Sequence, residues 1–200
     1  MQHIYEAGQS QTTFLLLHGT GGNEQSLLQL AQLIDPTANV LSVRGNVLEQ
    51  GMPRFFRRLA EGVFDFEDLA LRTKELHEFI GEASERYHFD REHVVALGYS
   101  NGANIAANLL FTYENSVKGA ILHHPMVPRR DATIPNLEGT AVFIAAGVND
   151  PMCTKAESEE LTELLTAAGA TVETAWYQYG HQLTMDEVND AKAWFVRTFL

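Results

Sequence analysis

The sequence predicts an α/β protein: a mostly parallel central sheet of about seven strands, with helices on both faces and no large lid domain. Three observations carry this expectation. Short runs rich in apolar and β-branched residues alternate with longer amphipathic segments, the pattern of βα units. Several of the short runs, VVALG at 94–98 among them, are apolar at every position, as strands covered on both faces must be. The 200 residues, 45% hydrophobic and 20% charged, suffice for one such core, and residues 1–200 are read as a single domain.

In chain order, the pattern opens with a hairpin, His3 to Ala7 and Thr13 to Leu17, turned at Gly8 to Gln11. Further strands are expected at Val40 to Val43, Val94 to Gly98, Gly119 to His123, Val142 to Ala146 and Val172 to Tyr177. Helical periodicity covers Glu24 to Ile34, Glu67 to Tyr87, Asn101 to Tyr113, Lys155 to Ala168 and Glu187 to Phe199. Thr154 with Glu157, and Thr184 with Glu187, have the spacing of capping boxes, in which each side chain satisfies the other's orphan amide. Gly169 stands where a left-handed residue ends the fourth helix. One stretch, from Arg44 to Leu69, breaks the alternation. Its Met52, Phe55, Phe56, Phe64 and Phe66 are too apolar for a solvated connection and must pack on the domain or on a ligand.

Charge and cysteine content narrow the function classes. A formal net charge of -12 opposes binding to nucleic acid or to an anionic membrane surface, both of which need clustered Lys and Arg. A small-molecule partner is expected instead, and the composition leaves room for a homodimer. Cys153 stands alone, which excludes an intramolecular disulfide and suits a reducing cytoplasm. The opening residues MQHIYEAGQS lack the basic and apolar regions of a secretory signal, and no apolar run approaches a bilayer span.

The sharpest chemical signal is GYSNG, Gly98 to Gly102, set between the buried run VVALG and a helix. A nucleophilic serine needs a tight strand-to-helix turn that raises its hydroxyl above the sheet edge, and flanking glycines let the neighbouring backbone come close. Ser100 is therefore the expected nucleophile. Such a serine is inert without a base and a third group that orients the base. In the chain order Ser, acid, His, with each residue at the carboxyl end of a strand, the acid falls on Asp150 in VNDP and the base on His181 in GHQ. His123 and His124 also follow a strand but precede the acid; they read as polar residues at a strand end, with a place in the pocket lining as the alternative. No histidine pair has the spacing of a zinc motif, so no metal is expected.

A second requirement is a set of donors for the oxyanion that forms on attack. In LLLHGTGGNE the glycines allow a turn that directs the Thr20 amide into the site, and the Asn101 amide, after the nucleophile, is the second donor. His18 is expected to pack beneath that loop. Met52, Phe55 and Phe56 are the expected wall of the substrate pocket, and Arg44, Arg54, Arg57 and Arg58 are candidates to meet a substrate carboxylate.

With HGTGGNE, RGNVLEQGMPRFFRRL, GYSNG, ND before the fourth helix and GH in place, the chain resembles the phospholipase/carboxylesterase family. More closely it is similar to small bacterial carboxylesterases, relatives of acyl-protein thioesterases, and the match runs nearly end to end. The resemblance implies a compact, lidless α/β-hydrolase fold, no cofactor, and hydrolysis of small acyl esters or thioesters through an acyl-enzyme. Carried over by residue, it implies the triad Ser100, Asp150 and His181, with the Thr20 and Asn101 amides as the oxyanion hole. Threonine after HG, where thioesterase relatives have leucine, favours simple esters over lipid or protein substrates.

Overall fold

The computed structural model describes all 200 residues. Strand β1 (His3–Glu6) is followed by β2 (Thr13–Leu17), helix α1 (Leu28–Ile34) and β3 (Asn39–Val43). The irregular segment then forms two small antiparallel ribbons, β4 (Val47–Glu49) with β5 (Met52–Arg54), and β6 (Arg58–Ala60) with β7 (Val63–Phe64). From there strands and helices alternate except between β9 and β10: α2 (Phe66–Tyr87), β8 (Val94–Tyr99), α3 (Asn101–Thr112), β9 (Gly119–His123), β10 (Ala141–Gly147), α4 (Lys155–Ala167), β11 (Thr171–Tyr177) and α5 (Met185–Phe199).

The main sheet has seven strands in the order β1-β3-β2-β8-β9-β10-β11. Only β1 runs antiparallel, against β3; every other pairing is parallel. This is the α/β-hydrolase fold. The order reverses direction between β2 and β8, so the carboxyl ends of these strands open a crevice at the point where ligands bind in open α/β sheets.

The expected opening hairpin does not form, because β3 lies between β1 and β2. The connecting loop crosses the start of β3 instead of turning back on itself. Its Gln9 and Ser10 amides donate to the Thr37 carbonyl at 2.6 and 2.9 Å, and the Asn39 amide nitrogen donates to the carbonyls of Ser10 and Thr12. This arrangement gives β2, buried at all five positions, a parallel neighbour on each side, β3 and β8. A hairpin would have left its apolar backbone half paired.

Alternation along the strands divides the apolar residues into two layers. Phe14 and Leu16 face α1 and α5, where they meet Ala31, Ile34, Val188, Ala191, Trp194 and Phe195. Leu15 and Leu17 face the opposite layer, packed by Leu69, Leu76 and Ile80 of α2 and by α3 and α4. Helix α1 starts at Leu28, later than its periodicity suggests, because Glu24 is drawn into a pair with Arg44 and accepts from Gln2.

The two capping boxes are half made. Thr154 and Thr184 accept from the Glu157 and Glu187 amides, as the spacing predicts. The glutamates do not reciprocate: Glu157 receives the Val127 amide and Arg130, and Glu187 receives His123 and His124. Stronger or buried donors outcompete an exposed cap amide.

Phe195 is fully buried, with its ring centroid 5.0 Å from Phe14 and 5.3 Å from Phe199. Phe195→Ala should lower the unfolding free energy by about 3–5 kcal/mol, read as a lower urea midpoint with unchanged slope.

Candidate active site

The site is built from strand ends. Registers Leu17↔Gly98, Tyr99↔His123, Ala145↔His123 and Gly147↔Tyr177 bring the carboxyl ends of β2, β8, β9, β10 and β11 to one rim. Thr20, Ser100, His124, Asp150 and His181 each lie within a few residues of one of these ends.

At the exit of β8 the chain reverses within one residue. Ser100 takes φ 51° and ψ -113°, a conformation that costs a non-glycine residue about 1–3 kcal/mol. The turn is held by the Ser100 amide, which donates to the His123 carbonyl at 2.9 Å, and by the Ser100 carbonyl, which accepts from Asn104. The two glycines are needed for contact. A Cβ on Gly102 would lie 1.9 Å from the Leu17 carbonyl oxygen, and one on Gly98 would lie 2.7 Å from the backbone of Ala103.

The hydroxyl so raised meets the expected partners. Ser100 Oγ lies 2.8 Å from His181 Nε2, and His181 Nδ1 lies 2.7 Å from Asp150 Oδ2. Asp150 Oδ1 accepts from the amides of Met152 and Cys153. Burial works to raise the Asp150 carboxyl, but those amides and the His181 N–H outweigh it and hold the group below the usual carboxylate range. An ionised Asp150 only accepts, so the proton of His181 sits on Nδ1 and the Nε2 lone pair faces the serine. Asn149 ties the acid and base loops together: its Oδ1 accepts from the Gly180 amide and its Nδ2 donates to the Gln178 carbonyl. Tyr99 donates its hydroxyl to the His181 carbonyl at 2.7 Å.

The amides of Thr20 and Asn101 are not used by any other backbone hydrogen bond, and both residues line the same cleft as Ser100 and His181. The Thr20 loop is fixed from two sides. Arg54 donates to Thr20 Oγ1 at 2.6 Å, and the Gly21 amide donates to the Pro53 carbonyl. Beneath the loop His18 is buried; its Nδ1 donates to Gly19 and its Nε2 accepts from the Gly45 amide. Burial pushes this imidazole down, which matches the neutral tautomer its partners require. His18 is a structural tie, as the sequence suggests.

The cleft wall differs from expectation. Phe55 and Phe56 are 1% and 0% exposed and sit in the core, Phe55 against His18 and Phe56 edge-on to Phe64. The reason is local: the Phe55 amide donates to the buried Asn101 Oδ1, which pins the chain with both rings turned inward. Met52 stands at the surface beside Gly21. The long segment contributes Arg54, Arg58, Gly62 and Phe64 to the wall instead, opposite Met126 and Met152. Of the four candidate arginines, Arg44 and Arg57 are paired elsewhere, with Glu24 and Asp65. Cys153 also lines the cleft, but burial, with Asp150 and Glu157 nearby, pushes its thiol far up and leaves it inert.

The dienelactone hydrolase family model matches residues 64–194, a span that holds the turn at Ser100, Asp150 and His181. The chain belongs to the dienelactone hydrolase family. It is 58% identical over 195 residues to the Bacillus subtilis (strain 168) protein "Putative hydrolase MhqD", covering 98% of each chain. Among solved structures it is similar to the Bacillus cereus carboxylesterase, with TM-score 0.98 and 63% identity over all of this chain and 95% of that one. It is also similar to YahD, solved with malic acid, with TM-score 0.95 and 32% identity over 98% of each. No helix of this hydrolase is long and apolar enough to cross a membrane.

Behind the line of Ser100, His181 and Asp150 lies a cluster whose connections the sequence did not reveal. Asp150 Oδ2 also receives His124 Nδ1 at 3.1 Å, and His124 Nε2 faces Glu187 and the Gln182 carbonyl. His123 Nδ1 donates to Glu187 Oε2 at 3.1 Å. Burial would raise the Glu187 carboxyl, but the two histidines outweigh it and hold it at about 2. The available signal was the HH pair at the end of β9.

A carboxyl held lower in the folded than in the unfolded chain stabilises the fold above its unfolded value of about 4.3. That contribution is lost as pH falls toward about 2. Denaturant titrations at pH 5, 4 and 3 should therefore show the wild type losing more stability than Glu187→Gln across this interval.

Proposed function

We propose that this hydrolase is a serine carboxylesterase that cleaves small carboxylic esters through an acyl-enzyme. The observation that carries the reading is the continuous hydrogen-bonded line from Ser100 Oγ through His181 to Asp150, at 2.8 and 2.7 Å, beside two free amides. The 63% identity to the Bacillus cereus carboxylesterase supports the substrate class.

In this mechanism His181 Nε2 takes the Ser100 proton as Oγ attacks the ester carbonyl carbon. The Asp150 carboxylate stabilises the resulting imidazolium. The carbonyl oxygen becomes an oxyanion that accepts from the Thr20 and Asn101 amides, each such donor being worth about 3 kcal/mol of barrier. The imidazolium returns its proton to the leaving alkoxide, which departs as the alcohol. Water then enters, gives a proton to His181 and attacks the acyl carbon; Ser100 Oγ leaves and is reprotonated as the carboxylic acid is released.

The cleft is narrow and partly open to solvent, and favours short acyl and alcohol parts over long chains. Its wall is also charged. Arg54 and Arg58 both pair with the single carboxylate of Glu49, which leaves one positive charge uncompensated beside Ser100. This feature, together with the malic acid in the YahD structure, supports a second reading in which the preferred esters carry an anionic end.

Ser100→Ala should lower kcat for p-nitrophenyl acetate by roughly 10⁴-fold or more and abolish labelling by a serine-directed organophosphate. Labelling that persists in the variant would move the nucleophile elsewhere. His181→Ala should lower kcat for the same ester by a comparable factor, and unreduced turnover in that variant would contradict a histidine base.

A further inference from the structure

His124, the residue after β9, is held in an unusual state. Its backbone is left-handed, with φ 54°, its residue is 1% exposed, and its amide and carbonyl are both committed, to the Ala145 carbonyl and the Cys153 thiol. A bulky residue is held in this conformation only when its surroundings over-determine it. What surrounds the ring is a set of acceptors. Nδ1 lies 3.1 Å from Asp150 Oδ2; Nε2 lies 3.1 Å from the Gln182 carbonyl oxygen and 3.2 Å from Glu187 Oε2.

Counting protons decides what this ring is. A neutral imidazole has one N–H and would point a lone pair at oxygen on its other side. Asp150 cannot supply the missing proton, since Oδ1 already accepts two amides and Oδ2 accepts His181. Nor can a backbone carbonyl. Glu187 is ionised, and it sits in the first turn of α5, where the helix dipole favours a negative charge. Both nitrogens of His124 must therefore carry hydrogen. Burial pulls the ring down, but its bonds and charges with Glu187 and Asp150 outweigh this and raise it.

We propose that His124 is a positioning residue for the triad: a standing imidazolium, clamped between Asp150 and Glu187, that fixes the acid and opposes a second positive charge on His181 in the free enzyme. The second effect follows from distance, because the His124 and His181 ring centroids are 5.1 Å apart. During turnover His181 becomes positive only while a negative oxyanion is present, so the repulsion falls chiefly on the unproductive, protonated resting state. The role rests on the esterase reading of Ser100 and His181, whereas the charge on His124 does not.

The groups that face these two rings are few. His124 meets Asp150 from the β10 exit, Glu187 from α5, the Tyr99 ring edge from β8 and the Cys153 thiol at its own carbonyl; His123 holds the other side of Glu187. His181 meets Ser100, Asp150, His124 and Tyr99, and Arg54, Arg58 and Cys153 line the same cleft.

The test has two parts. In ¹⁵N-histidine-labelled protein, NMR should show both ring nitrogens of His124 as N–H from about pH 5 to 8, whereas Glu187→Gln should lose one ring proton within that range. A lone pair on either nitrogen of the wild type at neutral pH, or an unchanged ring in Glu187→Gln, overturns the clamp. For the kinetic part, His124→Asn is chosen because Asn tolerates the left-handed backbone. The acid limb of its kcat/KM profile for p-nitrophenyl acetate should move up by about one pH unit. A fall in kcat with the limb unmoved would make His124 merely structural and overturn the electrostatic role. Should the variant fail to fold, the NMR result decides. A wild type without organophosphate-sensitive esterase activity sinks the esterase reading and leaves the NMR outcome standing.

Discussion

The arrangement depends first on a contact between backbones. The turn that lifts Ser100 passes so close to the end of β2 that Gly102 has no room for a Cβ beside the Leu17 carbonyl. That proximity allows β2 and β8 to deliver their loops to the same place, the Thr20 amide from one and Ser100 from the other. Every later element of the site is measured from this point. β10 supplies Asp150, β11 supplies His181, and the Asn149 bridge holds their two loops together. The strain at Ser100 is sustained by the two core layers beneath it, and none of the site residues has to be rigid by itself.

Legibility in the sequence followed locality. Strands β8 and β10 and the helices after them could be read because their determinants, apolar runs, glycines and caps, lie within a few residues. The turn at Ser100 and the loops at Asp150 and His181 were readable for the same reason, since each marks the end of a strand. Strand order was not. The hairpin reading rested on the short loop between β1 and β2, where local pairing costs the least chain entropy. The structure instead inserts β3, because a fully buried strand needs partners on both sides, and that demand is invisible in any short window.

His124 and Glu187 escaped notice for a different reason. Each already had a sufficient local explanation, one as a polar strand end and the other as the last residue of a capping box. The fold overrides the second, drawing the glutamate inward to the two histidines and leaving its cap half satisfied. The aromatic residues at 55 and 56 are a related case. In an irregular segment no periodicity reports which way a ring points, and a single hydrogen bond to Asn101 sets it.

The segment between β3 and α2 is fastened at its borders. Gly45 is held to His18 at one end, and at the other the Asp65 amide donates to the Arg57 carbonyl while Asp68 accepts the Arg57 amide. Between those fastenings it supplies much of one side of the cleft and no member of the Ser-His-Asp line. On the esterase reading, bond cleavage and choice of substrate fall to separate stretches of chain. Such a scaffold can change its diet by exchanging one cassette while the cutting machinery is inherited intact.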